Sequence, residues 1–359
     1  MDELMSAPQA GGKRAWYVKE RDFENPTVEI DWSQVKRLDQ WRIKDHYRGG
    51  PNYKWGAEET VRRCDGYITK HYPDWKGNRQ YLDDGQSLGT LRDWALSDGV
   101  NACHDVFDYR LAGGKGSRAG ETWYLGLQNA KTPEGRGVSR WQGTPEENIH
   151  MLRAALRFFG ANDVGIVELN EKTKKLVFNE EGDKKRWVFG GTEPKETATE
   201  RLIPDDAQWV IVHNNLQNTQ LTRRQPAVLG KCATTMAYSH WRKITMHLKE
   251  FLRGLGYYGL SGPGYSQVGP SNPFGVLSGI GEHTRMGHPV VSPEYGGFMR
   301  AMSKVVTNLP LAPTKPIDSG VNRFCLTCKI CATECPFGAL SLEDPSWEPP
   351  NLTPEEFAV

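Results

Sequence analysis

The firmest pattern of apolar and polar positions begins at Thr144. Thr144-Pro145-Glu146-Glu147 reads as an N-cap residue, a proline at the first helical position and a capping-box glutamate. Leu152, Leu156 and Phe159 then carry a helix as far as Gly160. Val164-Gly165-Ile166-Val167-Glu168-Leu169 follows as a short buried strand, and Gln208–His213 forms a second, with Trp209-Val210-Ile211-Val212 at its centre. Between them the charged excursion Asn170–Lys185 reads as a surface hairpin. The longest helical segment runs from Pro226 to Leu255. Within it Ala237, Trp241, Ile244, Leu248, Phe251 and Leu255 recur at steps of four, three, four, three and four, one apolar stripe facing a core. Alternation of helix and strand through residues 145–260 predicts an α/β layer architecture.

Outside this block the pattern is weaker. Residues 1–130 are polar, aromatic and turn-rich, punctuated by Gly49-Gly50-Pro51-Asn52 and Ala112-Gly113-Gly114-Lys115-Gly116, with short helices expected around Gly85–Val106. Glycine and proline crowd the stretch from Gly254 to Gly297, and Gly338–Val359 is acidic, proline-rich and free of cysteine. No internal repeat or low-complexity tract is visible. The expected division is an N-terminal region at 1–140, a core at 141–320 and a small C-terminal unit at 321–359.

A length of 359 residues suggests about two domains and room for a sizeable core around a large ligand. Lys+Arg 45 against Asp+Glu 44 leaves a net charge of +1, so no bulk field draws the chain to nucleic acid or anionic lipid. Mean hydropathy is −0.62, and no window approaches the roughly 20 apolar residues of a membrane helix. In the first thirty residues Lys13-Arg14 precedes Ala15-Trp16-Tyr17 rather than an apolar signal core, so no export signal is read there. Trp, Tyr and Phe number 12, 13 and 12, which suits either ordinary packing or the surroundings of a bulky planar ligand.

The seven cysteines are unevenly placed: Cys64, Cys103 and Cys232 stand singly, whereas Cys325, Cys328, Cys331 and Cys335 cluster ahead of Pro336. C-x2-C-x2-C-x3-C-P is the bacterial ferredoxin spacing, in which three thiolates serve one [4Fe–4S] cluster and the fourth serves the other cluster of a pair. A structural zinc usually takes cysteine pairs held well apart in sequence. A second run of cysteines, which a two-cluster module needs, does not follow Cys335, so the expectation is a partial module on a C-terminally shortened chain. Gly254-Leu255-Gly256-Tyr257-Tyr258-Gly259 matches the dinucleotide fingerprint, but it ends a long helix rather than opening one. Helix-stop glycines in left-handed geometry explain it better. The glycines of Gly259–Gly281 suit either a long surface loop or a close backbone approach to a ligand.

Several stretches together resemble the corrinoid- and iron–sulfur-dependent reductive dehalogenases. They are Trp16-Tyr17-Val18-Lys19-Glu20 with Pro26–Trp32, then Ala237-Tyr238-Ser239 with Phe251–Tyr257, and Gly279-Ile280-Gly281-Glu282-His283-Thr284-Arg285-Met286-Gly287. Ser292-Pro293-Glu294-Tyr295-Gly296 and Leu309–Asp318, which leads into the cysteines, complete the likeness, which covers nearly the whole chain. The resemblance implies an α/β (α+β) fold: a nitroreductase-like cobamide-binding core, then a partial two-cluster ferredoxin-like domain. The cobamide is expected base-off, since no Asp-x-His-x-x-Gly corrinoid motif is present. Gly262, Gly264, Gly281 and Glu282 are the expected cofactor-binding residues, and the four clustered cysteines the metal ligands.

The activity implied is removal of halogen from a small organohalide, with Tyr238 as proton donor and Arg285 as the cation tuning it. Without the resemblance, Tyr238 reads equally as an interfacial aromatic and Arg285 as a surface salt-bridge partner. Asn272 carries little weight as a helper, and His283 and His288 are not taken as cobalt ligands. The implied partners are a low-potential electron donor and a small membrane-anchor protein, at the outer face of the cytoplasmic membrane, with no nucleic acid. Three other readings stay open: an epoxyqueuosine-reductase-like cobalamin enzyme, which acts on tRNA and is disfavoured by the neutral charge, an electron-transfer iron–sulfur protein without dehalogenase activity, and a shortened, catalytically inactive chain lacking the second cysteine motif. Some 320 residues ahead of the cysteines are more than a ferredoxin needs.

Overall fold

A computed structural model describes residues 1–7, 14–40, 57–71, 123–225, 227–263, 267–287, 290–338 and 340–344, with Pro73, Arg92 and Leu96 as isolated positions. The expected helices around Gly85–Val106, together with Cys103, Gly264 and His288, lie outside the described residues. In chain order the first elements are α1 (Asp2–Ser6), β1 (Lys19–Glu20), α2 (Ala57–His71), α3 (Pro145–Phe159), β2 (Val164–Glu168), β3 (Arg186–Phe189), β4 (Glu200–Ile203) and β5 (Trp209–Leu216). The rest are α4 (Thr219–Thr222), α5 (Val228–Leu255), β6 (Gly259–Leu260), α6 (Ser271–Leu277), β7 (Met299–Thr307), β8 (Ile317–Asp318), α7 (Val321–Cys328) and α8 (Ile330–Thr333).

The fold is mixed α/β around a four-stranded sheet of order β2-β5-β7-β6, in which every neighbouring pair is antiparallel. Strand alternation sends Ile166, Ile211 and Val305 to one face, where Leu152 and Leu156 of α3 and Ile244, Leu248 and Leu252 of α5 cover them. Val210, Val212 and Val306 go to the other face, against Trp187, Phe274 and Leu277. Burial on both faces is why the first half of β5, Trp209-Val210-Ile211-Val212, reads as an apolar run. Two smaller pairings flank the sheet: β3 with β4 in parallel, and β1 with β8 antiparallel.

The helix ends follow their local chemistry. Thr144 accepts a hydrogen bond from the Glu147 N–H at 3.2 Å, and the Glu147 carboxylate accepts from the Thr144 N–H at 2.8 Å, closing the capping box. Helix α5 stops at Gly256, which takes φ 90° while its N–H reaches the Arg253 and Leu252 carbonyls. The glycine fingerprint at 254–259 is therefore a helix stop. Along α5, Ala237, Trp241, Ile244 and Leu248 are buried as the stripe requires. Near its end the buried position passes to Leu252, while Phe251 turns edge-on to Phe159 at the end of α3, 6.2 Å between ring centroids.

The excursion at 170–185 is not a surface hairpin. After a 3-10 turn at Thr173–Leu176, Val177, Phe178 and Glu181 are all buried. The Arg37 guanidinium donates to the carbonyls of Val177, Phe178 and Trp187, stitching the N-terminal stretch onto this segment. Its Leu-Val-Phe core outweighs its charges, and Arg201 takes up the acidic groups inside.

Candidate active site

Tyr238 lies on α5 and Arg300 on β7, and the fold brings them together. The Arg300 guanidinium carbon is 5.8 Å from the centroid of the Tyr238 ring, and the Arg300 Nε–H donates to Gln217 Oε1 at 2.8 Å. Tyr238 also meets Trp241 edge-on at 6.2 Å, and Trp241 stacks on Trp123 at 6.2 Å. Asn215 stands opposite Arg300 in the β5–β7 register, directly after a register shift that begins at His213. Its amide donates to the Ala237 carbonyl at 2.9 Å, tying the strand pair to the helical turn that carries Tyr238. Irregular register beside a site is a common way of re-aiming a side chain.

Beneath this group His213 Nε2 meets Thr245 Oγ1 at 3.3 Å, and Thr245 Oγ1 meets Ser303 Oγ at 3.0 Å. Burial, with Lys304 close by, pushes the His213 imidazole down to about 3, so it is neutral at ordinary pH. His213 Nδ1 and Asn215 Oδ1 are buried and find no hydrogen-bond partner among the described residues. Orphaned polar atoms are costly in a dry core. Asn215 Oδ1, on the residue opposite Arg300, is thus left as a hydrogen-bonding position that a ligand could take up.

A second buried charge cluster sits under the sheet. Arg201 bonds Glu181 at 2.8 Å, Glu196 at 3.0 Å and the Asp183 carboxylate. Burial raises Glu181 above the usual carboxylate range although Arg201 opposes it. Lys249 and Lys304 are each pushed down to about 7 by burial; Lys249 Nζ donates to the Trp123 carbonyl, and Lys304 Nζ to Ser271 Oγ at 3.0 Å.

The other residues singled out from the sequence have these places. Gly262 lies against Glu181: a Cβ there would fall 1.9 Å from Glu181 Oε2, so the missing side chain admits that carboxylate. Gly281 faces the Val291 carbonyl, 2.5 Å from where its Cβ would be. Glu282 is buried and accepts hydrogen bonds from Thr27, Ser319, Val321 and Asn322. These three residues thus touch protein. Arg285 donates to the carbonyls of Cys325, Ser341 and Glu343; the cation over the Tyr238 ring is Arg300. Asn272 donates to the Gly287 carbonyl, and His283 is half-buried and held below its usual range by desolvation. Arg300 was missed in the sequence because a strand partner fifteen positions past Arg285 carries no local signal. Pairing in the sheet brings it to Tyr238.

Cys325 and Cys328 lie on α7, Cys331 on α8 and Cys335 just beyond, all four half-buried and free of disulfides. Lys329, at φ 51°, makes the left-handed turn between the two helices. Among the described residues no three His, Cys, Asp or Glu side chains gather around a single ion. A cubane takes one thiolate per iron and surrounds itself with sulfurs rather than drawing them to one point, so free thiols in ferredoxin spacing on a helix–turn–helix suit it. No helix among the described residues is long and apolar enough to cross a membrane.

The sequence profile described as "Reductive dehalogenase subunit" matches residues 81–193 and 188–311. The chain is 26% identical to the trichloroethene reductive dehalogenase of Dehalococcoides mccartyi, covering 98% of itself and 76% of that protein. It is 30% identical to the chloroethene reductive dehalogenase of Dehalococcoides mccartyi strain VS, covering 98% of itself and 75% of the relative. Among solved structures, the catabolic reductive dehalogenase NpRdhA with 3-bromo-4-hydroxybenzoic acid superposes with a TM-score of 0.56 at 18% identity, over 96% of this chain and 41% of that one. A reductive dehalogenase whose structure is described as suggesting a mechanism for B12-dependent dehalogenation gives a TM-score of 0.53 at 16% identity, over 90% of this chain and 38% of that one. The chain therefore spans less than half the length of the solved structures it resembles. With the profile matching more than half of its residues, the chain belongs to the reductive dehalogenase family.

Proposed function

We propose that the chain reductively dehalogenates a small organohalide at a base-off corrinoid supplied with electrons by iron–sulfur clusters. Replacing a carbon–halogen bond by carbon–hydrogen consumes two electrons and one proton and releases halide. The bound corrinoid would supply the low-potential metal centre for breaking the carbon–halogen bond. What carries the reading at this chain's own residues is the Tyr238–Arg300 pair, with Asn215 Oδ1 opposite Arg300 unpartnered among the described residues. Tyr238 holds the proton at its hydroxyl. Arg300 stabilises the phenolate left behind, because a cation beside a phenol favours its charged form. Trp241, stacked on Trp123, packs edge-on against the Tyr238 ring on that side.

Cys325, Cys328 and Cys331 would hold most of one cluster, with Cys335 serving a second, and Gly264 would stand with the corrinoid. The resemblance adds a low-potential donor, a membrane-anchor partner and a place on the outer face of the cytoplasmic membrane. The test is anaerobic reconstitution with cobalamin, iron and sulfide, followed by absorption and EPR spectra and turnover of trichloroethene with a low-potential reductant. Retained corrinoid with halide release is expected. A cluster without retained corrinoid would turn the reading to an electron carrier.

A further inference from the structure

The loop Gly281–Arg285 has a use that the active-site reading does not absorb. Its backbone is fixed to the core by a two-way bridge, the Glu282 N–H donating to the Val291 carbonyl at 3.0 Å and the Val291 N–H to the Glu282 carbonyl at 2.9 Å. From that base two side chains three positions apart reach the cysteine-bearing segment. The Glu282 carboxylate accepts the backbone N–H groups of Ser319 at 2.7 Å, Val321 at 3.1 Å and Asn322 at 3.4 Å, and the Ser319 hydroxyl. These groups open α7, so an acid sits at the electropositive end of the helix that carries Cys325 and Cys328. The Thr27 hydroxyl bonds the same carboxylate at 2.9 Å.

Arg285 does the complementary job with carbonyls. Its Nε–H points to Cys325 O at 3.4 Å, and its Nη1 donates to Ser341 O and Glu343 O at 2.7 Å each. The acid thus takes N–H groups before the cysteines, and the base takes C=O groups at the first cysteine and beyond the last. Helix α2 holds the far side: Arg63 donates to the Pro336 carbonyl at 2.7 Å, and Lys70 pairs with Glu334 at 2.8 Å.

We infer that Glu282 and Arg285 are positioning residues that clasp the cysteine-bearing segment to the core, Arg285 also setting the charge beside Cys325. The second half rests on the iron–sulfur reading above; the clasp itself does not. Losing Glu282 strands the N–H groups that open α7, and losing Arg285 releases the return of the chain after the cysteines. A positive charge held beside a ligand's backbone favours the reduced, more negative cluster.

Hydrogen–deuterium exchange on the whole chain tests the clasp without any cofactor. In Glu282→Ala, peptides spanning residues 321–335 are expected to exchange at least tenfold faster, with those of α5 and β5 unchanged. Arg285→Met should loosen the same peptides less, and Glu282→Gln, which keeps size and one acceptor, should fall between wild type and alanine. Unchanged protection of 321–335 in both Glu282→Ala and Arg285→Met would overturn the clasp. Equal loosening of α5 and β5 in Glu282→Gln would also overturn it, since the pair would then hold the core rather than the segment. After reconstitution, Arg285→Met should move the cluster's midpoint potential to more negative values and Arg285→Lys should restore most of the shift. An unmoved potential would remove Arg285's electrostatic part. Failure of wild type to assemble any cluster would strike the cofactor reading and leave the exchange result standing.

Discussion

Replacing Tyr238 by phenylalanine keeps the ring, its edge contact with Trp241 and the guanidinium over its face, and removes one hydroxyl. Tyr238→Phe in the reconstituted protein should therefore retain fold and cofactors while halide release falls by ~10²–10⁴-fold, the usual worth of a positioned general acid. Arg300→Met should shift any tyrosine-linked break in the pH–rate profile upward, because the phenolate loses its cation; pre-steady-state halide release against pH measures it. Lys304 gives a prediction independent of turnover. Its folded pKa is depressed from 10.5 to about 7, so between those values the unfolded chain holds a proton that the folded chain lacks. Stability contributed by this group therefore rises with pH through that window. Lys304→Met should flatten the rise in urea midpoint between pH 7 and pH 9, with Lys249 supplying what remains. The resemblance at Ala237-Tyr238-Ser239 is what singles out Tyr238 for this proposal. Arg300 and Asn215 were not legible in the sequence, because only strand pairing tells which residue of β7 faces which of β5.

Among the elements, α3 and α5 were readable almost to the residue, since caps and an apolar stripe are local signals. Thr144→Ala should cost about 1 kcal/mol, seen as a lower urea midpoint with unchanged slope, because it strands the Glu147 N–H. The segment after β2 was misread for the opposite reason. Its charges suggest solvent, yet Leu176, Val177 and Phe178 are buried, and the partners of its acids lie some twenty residues on at Arg201. Gly262 shows the same limit. Glycine at that position signals a close approach, but the sequence does not say that the approaching group is the protein's own Glu181.

Over the whole molecule, cofactor stoichiometry follows from counting. Two all-cysteine [4Fe–4S] clusters require eight thiolates, and these 359 residues contain seven cysteines, of which four have ferredoxin spacing. Iron and sulfide per reconstituted chain should each come out clearly below eight. Values of eight with two EPR-active centres would require ligands other than cysteine. The mixed α/β class was legible because layer alternation survives in one sequence. How the N-terminal stretch joins the rest was not, since β1 is two residues long and leaves no pattern.

That short pairing bears on biogenesis. Lys19–Glu20 lies beside Ile317–Asp318, the two residues that lead into Gly320 and α7, and Arg21 N–H bonds the Pro316 carbonyl. Within this stretch of chain an early strand must wait for a partner that comes far later in the sequence. Contacts this remote in sequence form slowly, after the local helices and the central sheet. On the iron–sulfur reading, metal offered to the thiols at 325–335 before that pairing closes would meet a segment not yet docked at Ile317–Asp318. On the iron–sulfur reading proposed above, cluster insertion is best served by a chain already closed on itself.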